Sequence, residues 1–549
     1  MYTWDQTTVV GSQSKDVILF NILQAPGQES KQVTILGYGG NDEISVINTK
    51  AKGVVIDGGD GRDVIEGSKG RDILIGGAGN DQITARGANA SLYGGDGDDI
   101  IRVSAAAYIE GGDGNDILFR NLQDNATVNG GAGDDTMVIS SRYELSFEKT
   151  LLFSRSFTDV EHFAVQGSIH LSKNIMSLLG SISSFHNDDI IIHLTGDDAQ
   201  IGKGFLSGDF GGTIVGSIAD DVINLRGTQN DFRLAGDDGD DLLYGNDLDN
   251  IMVGGIGVDT LYGGGGDDKL YSEDTSSNTM FKEGDLNKLY GDAGDDRLIF
   301  IGNYGSGWGG AGNDVFIAET TYLHDIEGSF YGGGGNDLFE MERVNGTVVG
   351  GAGKDILEIE YGLGDKTVLD VEILRGRDLS GPAAALNAVD LLDVTRNGYV
   401  QVTDGELLAP KRINGKYHVS GSDEDNAIDL LHTRIDGRNL GVYLQGGDDQ
   451  FRGTAGNETI DGGSGVDTIY LSDRIGHDTI TDFSTNAKEE DRLDFSNSKI
   501  IRDIDDLNTH SDIIVDDLYH VLIVHMGKSE LRVEFDSYTW TLDANNLIF

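Results

Sequence analysis

The chain of 549 residues contains no cysteine and only three prolines, Pro26, Pro382 and Pro410. Without cysteine there is no disulfide framework, no thiolate metal site and no cysteine nucleophile. The 81 glycines follow no strict three-residue period, which together with the scarcity of proline excludes collagen. Basic residues are also few, since 40 Lys and Arg stand against 93 Asp and Glu. The resulting net charge of −53 repels nucleic acid and anionic membrane surfaces.

Long apolar runs are missing as well. No stretch of about 18 apolar residues occurs, so the sequence predicts no transmembrane helix. The first residues, MYTWDQTTVV, contain an acidic Asp5 and neither a basic segment nor an apolar segment after it. We therefore expect no N-terminal signal peptide. The hydrophobic share of 38% favours a folded core over disorder despite the high charge.

A nonapeptide recurs along much of the chain, with the pattern Gly-Gly-x-Gly-x-Asp-x-U-x, in which U is a large apolar residue. It is clearest in the tandem run GGDGRDVIE, GSKGRDILI and GGAGNDQIT, which starts at Gly58. Further copies begin at residues 94, 111, 130, 236, 245, 254, 263, 291, 309, 332, 350, 453 and 462, with weaker copies at 37 and 216. A solvated acidic linker is the alternative interpretation, but a linker would not keep Ile, Leu or Val at position eight.

The physical properties of the nonapeptide predict its structure. Glycine tolerates positive φ, so the first six residues suit a tight turn, and the last three suit a short strand with U pointing inward. Two nonapeptides then form one coil of a solenoid, and stacked coils supply the core. Turns two repeats apart, such as those of Asp63 and Asp81, are expected on the same edge. A column of carboxylates and turn carbonyls is an all-oxygen environment suited to a hard cation, above all Ca²⁺.

These repeats resemble the calcium-binding repeats of the RTX (hemolysin-type) family. The resemblance covers about half of the chain and implies several calcium ions held by position-six carboxylates and by the carbonyls of positions two and four. In the tandem copies the implied ligands are Gly59, Gly61, Asp63, Gly77, Gly79, Asp81, Gly255, Gly257, Asp259, Gly264, Gly266 and Asp268. The implied carboxylate ligands elsewhere are Asp72, Asp241, Asp296 and Asp467, and, with less complete ligand sets, Asp99, Asp116, Asp135, Asp314, Asp337 and Asp355. In two copies Asn250 and Glu458 replace the aspartate.

A second calcium candidate lies in DVTRNGYVQVTD, which fits a twelve-residue EF-hand-like loop and resembles the single loops of dockerin-type modules. Its expected ligands are Asp393, Thr395, Asn397, the carbonyl of Tyr399, and Asp404, with Gly398 at the sharp turn. Thr395 is a poor ligand, and no second copy follows. A helix–turn–strand with incidental acidic residues remains the alternative.

The C-terminal string GHDTITDFSTNAKEEDRLDFS resembles the region that follows the repeats in type I-secreted proteins such as serralysins. The acidic and then apolar tail from Asp543 to Phe549 is similar to their uncleaved export signal. The alternative, compatible with the first, is a β-domain that caps the last coil. Two alternating strands around a Gly527-Lys528 turn are predicted here.

The predicted fold class is all-β, with several parallel β-roll blocks, β-rich insertions and a C-terminal β cap. The expected segments are N-terminal strands 1–57, a first roll 58–139, an insertion 140–215, a second roll 216–360, an insertion with the EF-hand-like loop 361–445, a third short roll 446–470 and a cap with the secretion region 471–549.

No catalytic motif emerges from the sequence. None of the eleven histidines fits a zinc-protease helix motif, and neither a nucleophile elbow nor a phosphate-binding lysine loop occurs. His186 and His193 beside Asp188 and Asp189 form either a site or, as we favour, a surface loop. Trp308 is interpreted as a packed aromatic rather than a sugar-stacking residue.

The sequence therefore favours a non-enzymatic, calcium-binding protein that is secreted without an N-terminal signal peptide and folds on Ca²⁺ outside the cell. Its expected role is structural or adhesive, at a cell surface or in a matrix. The expected partners are a type I exporter and a surface glycan or further copies of the chain, with no nucleic acid and no membrane insertion. The alternative function is a polysaccharide-modifying enzyme of the epimerase or lyase type on a β-helix face.

Overall fold

The computed structural model describes most of the chain, and every structural statement below concerns this part. The described residues are 8–21, 32–47, 53–103, 108–121, 127–140, 157–165, 168–172, 176, 179, 181–184, 189–195, 200–202, 204–208, 210–272, 286–301, 304–319, 327–415, 417–435, 439–472, 474–486, 489–515, 520–535 and 546–549. The chain divides into two compact units, Met1–Gly257 and Val258–Phe549. Each unit is a parallel β-solenoid, and together the units contain about 19 turns. This confirms the predicted all-β fold class.

The first unit begins with two sheets that run side by side, and strands are numbered in chain order. One sheet has the order β1 (Thr8–Val10), β3 (Val33–Leu36), β5 (Val54–Asp60), β7 (Ile73–Ala78), β9 (Ser91–Asp96), β11 (Tyr108–Asp113), β13 (Thr127–Ala132), β15 (Phe157–Thr158). The other contains β2 (Val17–Asn21), β4 (Glu43–Ile47), β6 (Val64–Glu66), β8 (Gln82–Ala85), β10 (Ile100–Val103), β12 (Ile117–Asn121), β14 (Thr136–Ser140), β16 (His162–Val165) and β18 (Ser183–Ser184). Consecutive strands alternate between the two sheets, so each pair makes one coil.

The first unit continues with a second pair of strand rows, again parallel. One row contains β17 (Ser168–Ser172), β19 (Ile190–Thr195), β21 (Gly212–Val215), β23 (Phe232–Asp238) and β25 (Ile251–Ile256). The other contains β20 (Gln200–Ile201), β22 (Val222–Asn224) and β24 (Leu242–Tyr244). Parallel strands therefore also occur in the segment 140–215, where the sequence predicted a β-rich insertion.

The second unit has the same construction. One row contains β26 (Thr260–Gly265), β28 (Asn287–Ala293), β30 (Tyr304–Ala311), β32 (Glu327–Gly334), β34 (Thr347–Ala352) and β36 (Val368–Asp370). The facing row contains β27 (Lys269–Tyr271), β29 (Arg297–Ile301), β31 (Val315–Glu319), β33 (Leu338–Met341), β35 (Ile356–Ile359), β37 (Ile373–Gly381), β38 (Leu391–Val402), β40 (Arg412–Asn414), β41 (Tyr417–Ser420), β43 (Arg434–Ile435), β44 (Asn439–Tyr443), β46 (Asn457–Asp461) and β48 (His477–Phe483). Parallel strands thus run through 361–445 as well.

The C-terminal part of the second unit adds a third row, a short hairpin and an antiparallel cap. The third row contains β39 (Leu407–Leu408), β42 (Ala427–Asp429), β45 (Gln450–Arg452), β47 (Thr468–Tyr470), β51 (Arg492–Asp494) and β55 (Leu547–Ile548). The remaining elements are β49 (Thr485–Asn486), β50 (Glu489–Glu490), β52 (Ser511–Val515), β53 (His520–Met526), β54 (Ser529–Phe535) and the helices α1 (Ala383–Ala388) and α2 (Ile504–His510). Met526 pairs with Ser529, which confirms the predicted turn at Gly527-Lys528.

The core includes the position-eight residues, which stack one coil above another. Ile65, Ile83 and Ile101 pair in register along one sheet, and each is fully buried. Burying such a side chain contributes about 1.5–3 kcal/mol, so stability grows with the number of stacked coils. One expectation is corrected: positions one to three of the nonapeptide continue the preceding strand, as in β5, because Gly59 pairs in parallel register with Gly77.

Both described helices are short, with six and seven residues. Neither they nor any other helix in the described ranges combines the length and the apolar character that crossing a membrane requires.

Candidate metal sites

The position-six aspartates form ladders along the edges of the solenoid. The backbone N–H of Asp63 donates to Oδ1 of Asp81 at 2.7 Å, and the N–H of Asp81 donates to Oδ1 of Asp99 at 2.7 Å. Each rung thus joins one coil to the next, always from the earlier N–H to the later carboxylate. The predicted placement of Asp63 and Asp81 on one edge is confirmed.

Three long ladders contain most of the predicted carboxylates. In the first unit the rungs are Asp16, Asp42, Asp63, Asp81, Asp99, Asp116, Asp135 and Glu161. In the second unit one ladder contains Asp268, Asp296, Asp314, Asp337, Asp355 and Glu372, and another contains Asn426, Asp449, Asp467 and Asp491. Shorter ladders link Asp221 to Asp241, Asp259 to Asn287, and Glu458 to Asp478.

In most rungs the ladder uses one oxygen of the carboxylate and leaves the second buried. For twelve aspartates Oδ2 is buried and has no hydrogen-bond partner among the described residues, namely Asp42, Asp63, Asp81, Asp99, Asp116, Asp135, Asp296, Asp314, Asp337, Asp355, Asp449 and Asp467. A buried carboxylate oxygen without a partner is costly, because it has lost its water without a replacement. Such an oxygen would be stabilised by a positively charged ligand or by a hydrogen-bond donor.

A second oxygen lies beside most of these groups. A Cβ built on Gly76 would lie 2.3 Å from Oδ2 of Asp81 and 2.6 Å from the carbonyl oxygen of Gly94, so both oxygens border the same small space. Gly94 shows the same arrangement, with Oδ2 of Asp99 at 2.2 Å and the carbonyl oxygen of Gly111 at 2.3 Å. Glycine at position one keeps this space open, since any side chain would fill it.

The glycines at positions two and four bring the turns of adjacent coils close together. Gly77 has φ +116° and Gly79 has φ +125°, both in the left-handed region that glycine adopts without strain. Their built Cβ atoms would each lie 2.1 Å from a carbonyl oxygen of the previous coil, from Gly59 and Gly61 respectively. The predicted carbonyl ligands therefore face the neighbouring turn.

The charge state of the ladders follows from their burial. Burial, reinforced by the charge of Asp63, raises the pKa of Asp81 to about 7. Burial raises the pKa of Asp99 to about 8, and the negative charges of Asp81, Asp116 and Asp98 add a smaller contribution. Near neutral pH the ion-free ladder therefore holds protons, or it holds negative charges that repel one another.

The donor set fits a hard cation such as Ca²⁺. Within the described ranges no three His, Asp or Glu side chains converge on one point. A cation here would therefore be held by a carboxylate of one turn together with backbone carbonyls, as the all-oxygen preference of Ca²⁺ allows.

Family comparison agrees with this geometry. The model of the RTX calcium-binding nonapeptide repeat (4 copies) matches residues 57–89, 91–105, 108–126, 244–274 and 443–473. The chain contains RTX calcium-binding nonapeptide repeats. RTX nonapeptide repeats are calcium-binding motifs, which supports Ca²⁺ as the ion. The curated proteins contain no match to this chain.

The EF-hand-like loop expected at 393–404 stays a prediction, and the structure describes most of this segment as a strand. Residues 391–402 form strand β38, whose two halves pair in parallel with β37 on one side and with β40 and β41 on the other. Between Val394 and Tyr399 the register with β37 shifts, and Arg396 and Asn397 have positive φ. Asp393 accepts from Arg375 at 3.0 Å, and Oδ1 of Asp404 accepts from the N–H of Ala383 at 3.0 Å. Thr395, Asn397 and Tyr399 lie within the same strand. These residues are left out of the calcium sites proposed below.

Several ladder residues escaped sequence analysis. Asp449 lies in LQGGDD, where Leu444 and Gln445 replace the first two glycines, but its distance of 18 residues from Asp467 equals one coil and identifies it. Asp491, Glu161 and Glu372 lie outside the nonapeptide and have no such signal. Position five forms its own exposed ladder, as where the N–H of Asn115 donates to Oδ1 of Asp98 at 2.9 Å. The frequent Asn and Asp at this position are its sequence signal.

The remaining predicted side chains occupy other positions. Trp308 stacks between Tyr290 and Tyr331, with ring centroids 4.4 and 5.8 Å away. Both of its faces are covered, which confirms a packed aromatic. His193 stacks on His170 at 4.5 Å, whereas His186 and Asp188 lie outside the described residues.

Proposed function

We propose that this protein is secreted and that its solenoids fold when Ca²⁺ binds outside the cell. The observation that carries the proposal is the row of buried Oδ2 atoms, each in a turn rich in backbone oxygen. A cation at these turns would neutralise the carboxylates and compensate the water lost on burial. Without a cation, the negative charges of each ladder repel one another and oppose the stacking of its turns.

The energetics suit a switch between low and high calcium. Ca²⁺ modules outside cells have Kd values of roughly 10⁻⁴–10⁻³ M. At ten times its Kd, each independent site adds about 1.4 kcal/mol to folding, so a ladder of five or six sites gains several kcal/mol. At the low calcium level inside a cell this contribution vanishes, and an unfolded chain is suited to export through a narrow channel.

The route and the role are also part of the proposal. The C-terminal resemblance supports export by a type I system, with the chain located outside the cell or at its surface. The RTX repeat family is typically structural or toxin-like, which supports a structural or adhesive role over a catalytic one. A surface glycan and further copies of this chain are the proposed partners.

The decisive experiment is a Ca²⁺ titration of chelator-stripped protein followed by far-UV circular dichroism, with Mg²⁺ as the control. We expect a cooperative transition from coil to β-structure at sub-millimolar to millimolar Ca²⁺, with no comparable transition in Mg²⁺. A stripped protein that is already fully β and ignores Ca²⁺ would overturn the proposal. Export is tested separately, by expressing the chain with and without residues 536–549 beside a type I exporter and measuring the protein in the medium.

A further inference from the structure

The backbone at position two separates the turns into two classes. In fifteen turns the position-two residue is left-handed, with φ between 72° and 124°: Tyr38, Gly59, Gly77, Gly95, Gly112, Gly131, Asp237, Gly255, Gly264, Asp292, Gly310, Gly333, Gly351, Gln445 and Gly463. All twelve aspartates whose Oδ2 lacks a partner belong to this class. The class includes non-glycine residues, so the backbone conformation defines it rather than glycine itself.

Six other turns have serine, asparagine or threonine at position two, and none of these residues has a positive φ. The position-two residues are Ser12, Ser68, Ser217, Asn246, Ser422 and Thr454, and the position-six residues are Asp16, Asp72, Asp221, Asn250, Asn426 and Glu458. In these turns an oxygen of the position-six side chain accepts a hydrogen bond from position two of its own turn. The acceptor position that is open in the first class is therefore filled here, although Glu458 keeps a second oxygen, Oε2, that is buried without a partner among the described residues.

Asp72 shows how complete this closure is. Its Oδ2 accepts from the N–H of Ser68 at 2.6 Å, and its Oδ1 accepts from Oγ of Ser68 at 2.7 Å and from the N–H of Val54 at 2.9 Å. Asp63, one turn earlier and equally buried, receives only the N–H of Asp42 on Oδ1. The two carboxylates differ in the backbone of position two, where Gly59 has φ +99° and Ser68 does not have a positive φ.

We propose that position two decides whether a turn binds Ca²⁺, an inference that rests on the proposed function. A left-handed position two leaves the carboxylate oxygen open for the ion. Ser, Asn or Thr outside the left-handed region closes the turn with its own N–H or hydroxyl, so that turn needs no ion. The resemblance assigns Asp72 a metal role, and this inference removes it.

The self-closed turns also occupy defined places in the ladders. Asp16, Asp221 and Asn426 each donate their N–H to the next carboxylate, to Asp42, Asp241 and Asp449. They are thus the first described rungs of their ladders. The first turn of such a ladder is stabilised by its own hydrogen bonds and can form before Ca²⁺ binds. The turns that depend on the ion can then stack on it.

The test compares Asp63→Asn with Asp72→Asn, two buried position-six residues of adjacent turns. Isothermal titration calorimetry gives the number of bound Ca²⁺ ions, and circular dichroism gives the Ca²⁺ midpoint of folding. We expect Asp63→Asn to lose at least one ion and to raise the midpoint at least twofold. Asp72→Asn loses one of the two acceptor oxygens that Ser68 and Val54 use, so it destabilises its turn, but it should bind the same number of Ca²⁺ ions as the wild type. Equal loss of ions in the two variants would overturn the inference.

A second measurement does not depend on the folding of any variant. Anomalous diffraction from Ca²⁺-loaded wild-type crystals is expected to show ions beside Asp63 and Asp81 and none beside Asp72 or Asn426. An ion coordinated by Asp72 would overturn this inference and leave the proposed function standing. A wild-type protein that binds no Ca²⁺ at all would overturn both.

Discussion

Replacing Asp99 by asparagine is expected to stabilise the first unit when calcium is absent and the pH is 8.5. Asp99 is buried, and its pKa is raised to about 8 mainly by that burial and then by neighbouring carboxylates. The amide carries no charge and keeps an oxygen for the N–H of Asp81, now at 2.7 Å from Oδ1. Its NH₂ group would take the place of Oδ2, beside the carbonyl oxygen of Gly111. Asn287 already accepts the N–H of Asp259 in this way.

The size of the effect follows from the shift in pKa. A rise from 3.8 to about 8 corresponds to about 6 kcal/mol of disfavoured ionisation above pH 8. Screening by solvent and relaxation of the turn reduce this to about half, roughly 3 kcal/mol. Because the folded-state pKa lies above the unfolded one, the ion-free fold is most stable below pH 4. It loses that stability as the pH rises from about 4 to about 8, so the gain from asparagine is small at pH 4.5.

The assay is urea denaturation followed by far-UV circular dichroism, in buffer freed of calcium by a chelating resin, at pH 4.5 and 8.5. Asp96→Asn is the matched control, because it removes the same charge from an exposed residue of the same turn that does not contribute to the raised pKa of Asp99, and its effect should stay below about 0.5 kcal/mol. In saturating Ca²⁺ the sign reverses for Asp99→Asn, since an amide oxygen is a weaker ligand than a carboxylate. An Asp99→Asn protein less stable than wild type at pH 8.5 without calcium would refute the reasoning.

Three further predictions concern the turns, the outer face and protons. Gly77→Ala should lower the free energy of unfolding by about 3 kcal/mol, measured by thermal denaturation, because residue 77 has φ +116° and its Cβ would lie 2.1 Å from a carbonyl oxygen. Gly334→Ala should leave the stability unchanged, because its Cβ would meet only one atom, at 3.9 Å. Trp308→Ala should lower the free energy of unfolding by about 3 kcal/mol, because the indole ring no longer stacks on Tyr290 and Tyr331. Because burial raises the pKa of Asp81 and of Asp467 to about 7, Ca²⁺ binding at pH 7 should release protons and weaken towards pH 6. Calorimetry in buffers of different ionisation enthalpy measures that release.

Each of these has an outcome that contradicts it. Equal melting temperatures for the two alanine variants would mean that adjacent turns are not in close contact. A Trp308→Ala protein of unchanged stability would mean that the stack contributes nothing. A Ca²⁺ affinity independent of pH between 6 and 8 would mean that the ion does not displace protons from the ladder.

The fold was largely predictable, because position eight and the glycine turn repeat often enough to define the coil. Ile65, Ile83 and Ile101 occupy the core as their period requires. The strands of residues 361–445 were harder to predict, since there the coils continue without the nonapeptide and depend on parallel pairing, as between Leu374 and Leu392.

The candidate sites were predictable in part, by residue type and spacing. Spacing alone placed Asp63 and Asp81 in one column, but it assigned Asp72 the same role. The difference between these residues lies in the φ of position two, a property of the backbone that a consensus pattern does not record. In the EF-hand-like segment, a twelve-residue pattern of oxygen side chains does not reveal that strands pair with it on both sides.

The ladder bonds span different lengths of chain. Asp63 reaches Asp81 across 18 residues, Asp314 reaches Asp337 across 23, and Asp268 reaches Asp296 across 28, yet the N–H to carboxylate distance stays between 2.7 and 2.8 Å. The ladder bonds therefore join successive turns, whatever number of residues separates them. Extra chain can leave the solenoid between two rungs and return without breaking the column. Such a frame can acquire surface loops of new sequence while its ion-binding edge stays unchanged. The surface of a coil can therefore change what it recognises without a change in how that coil folds.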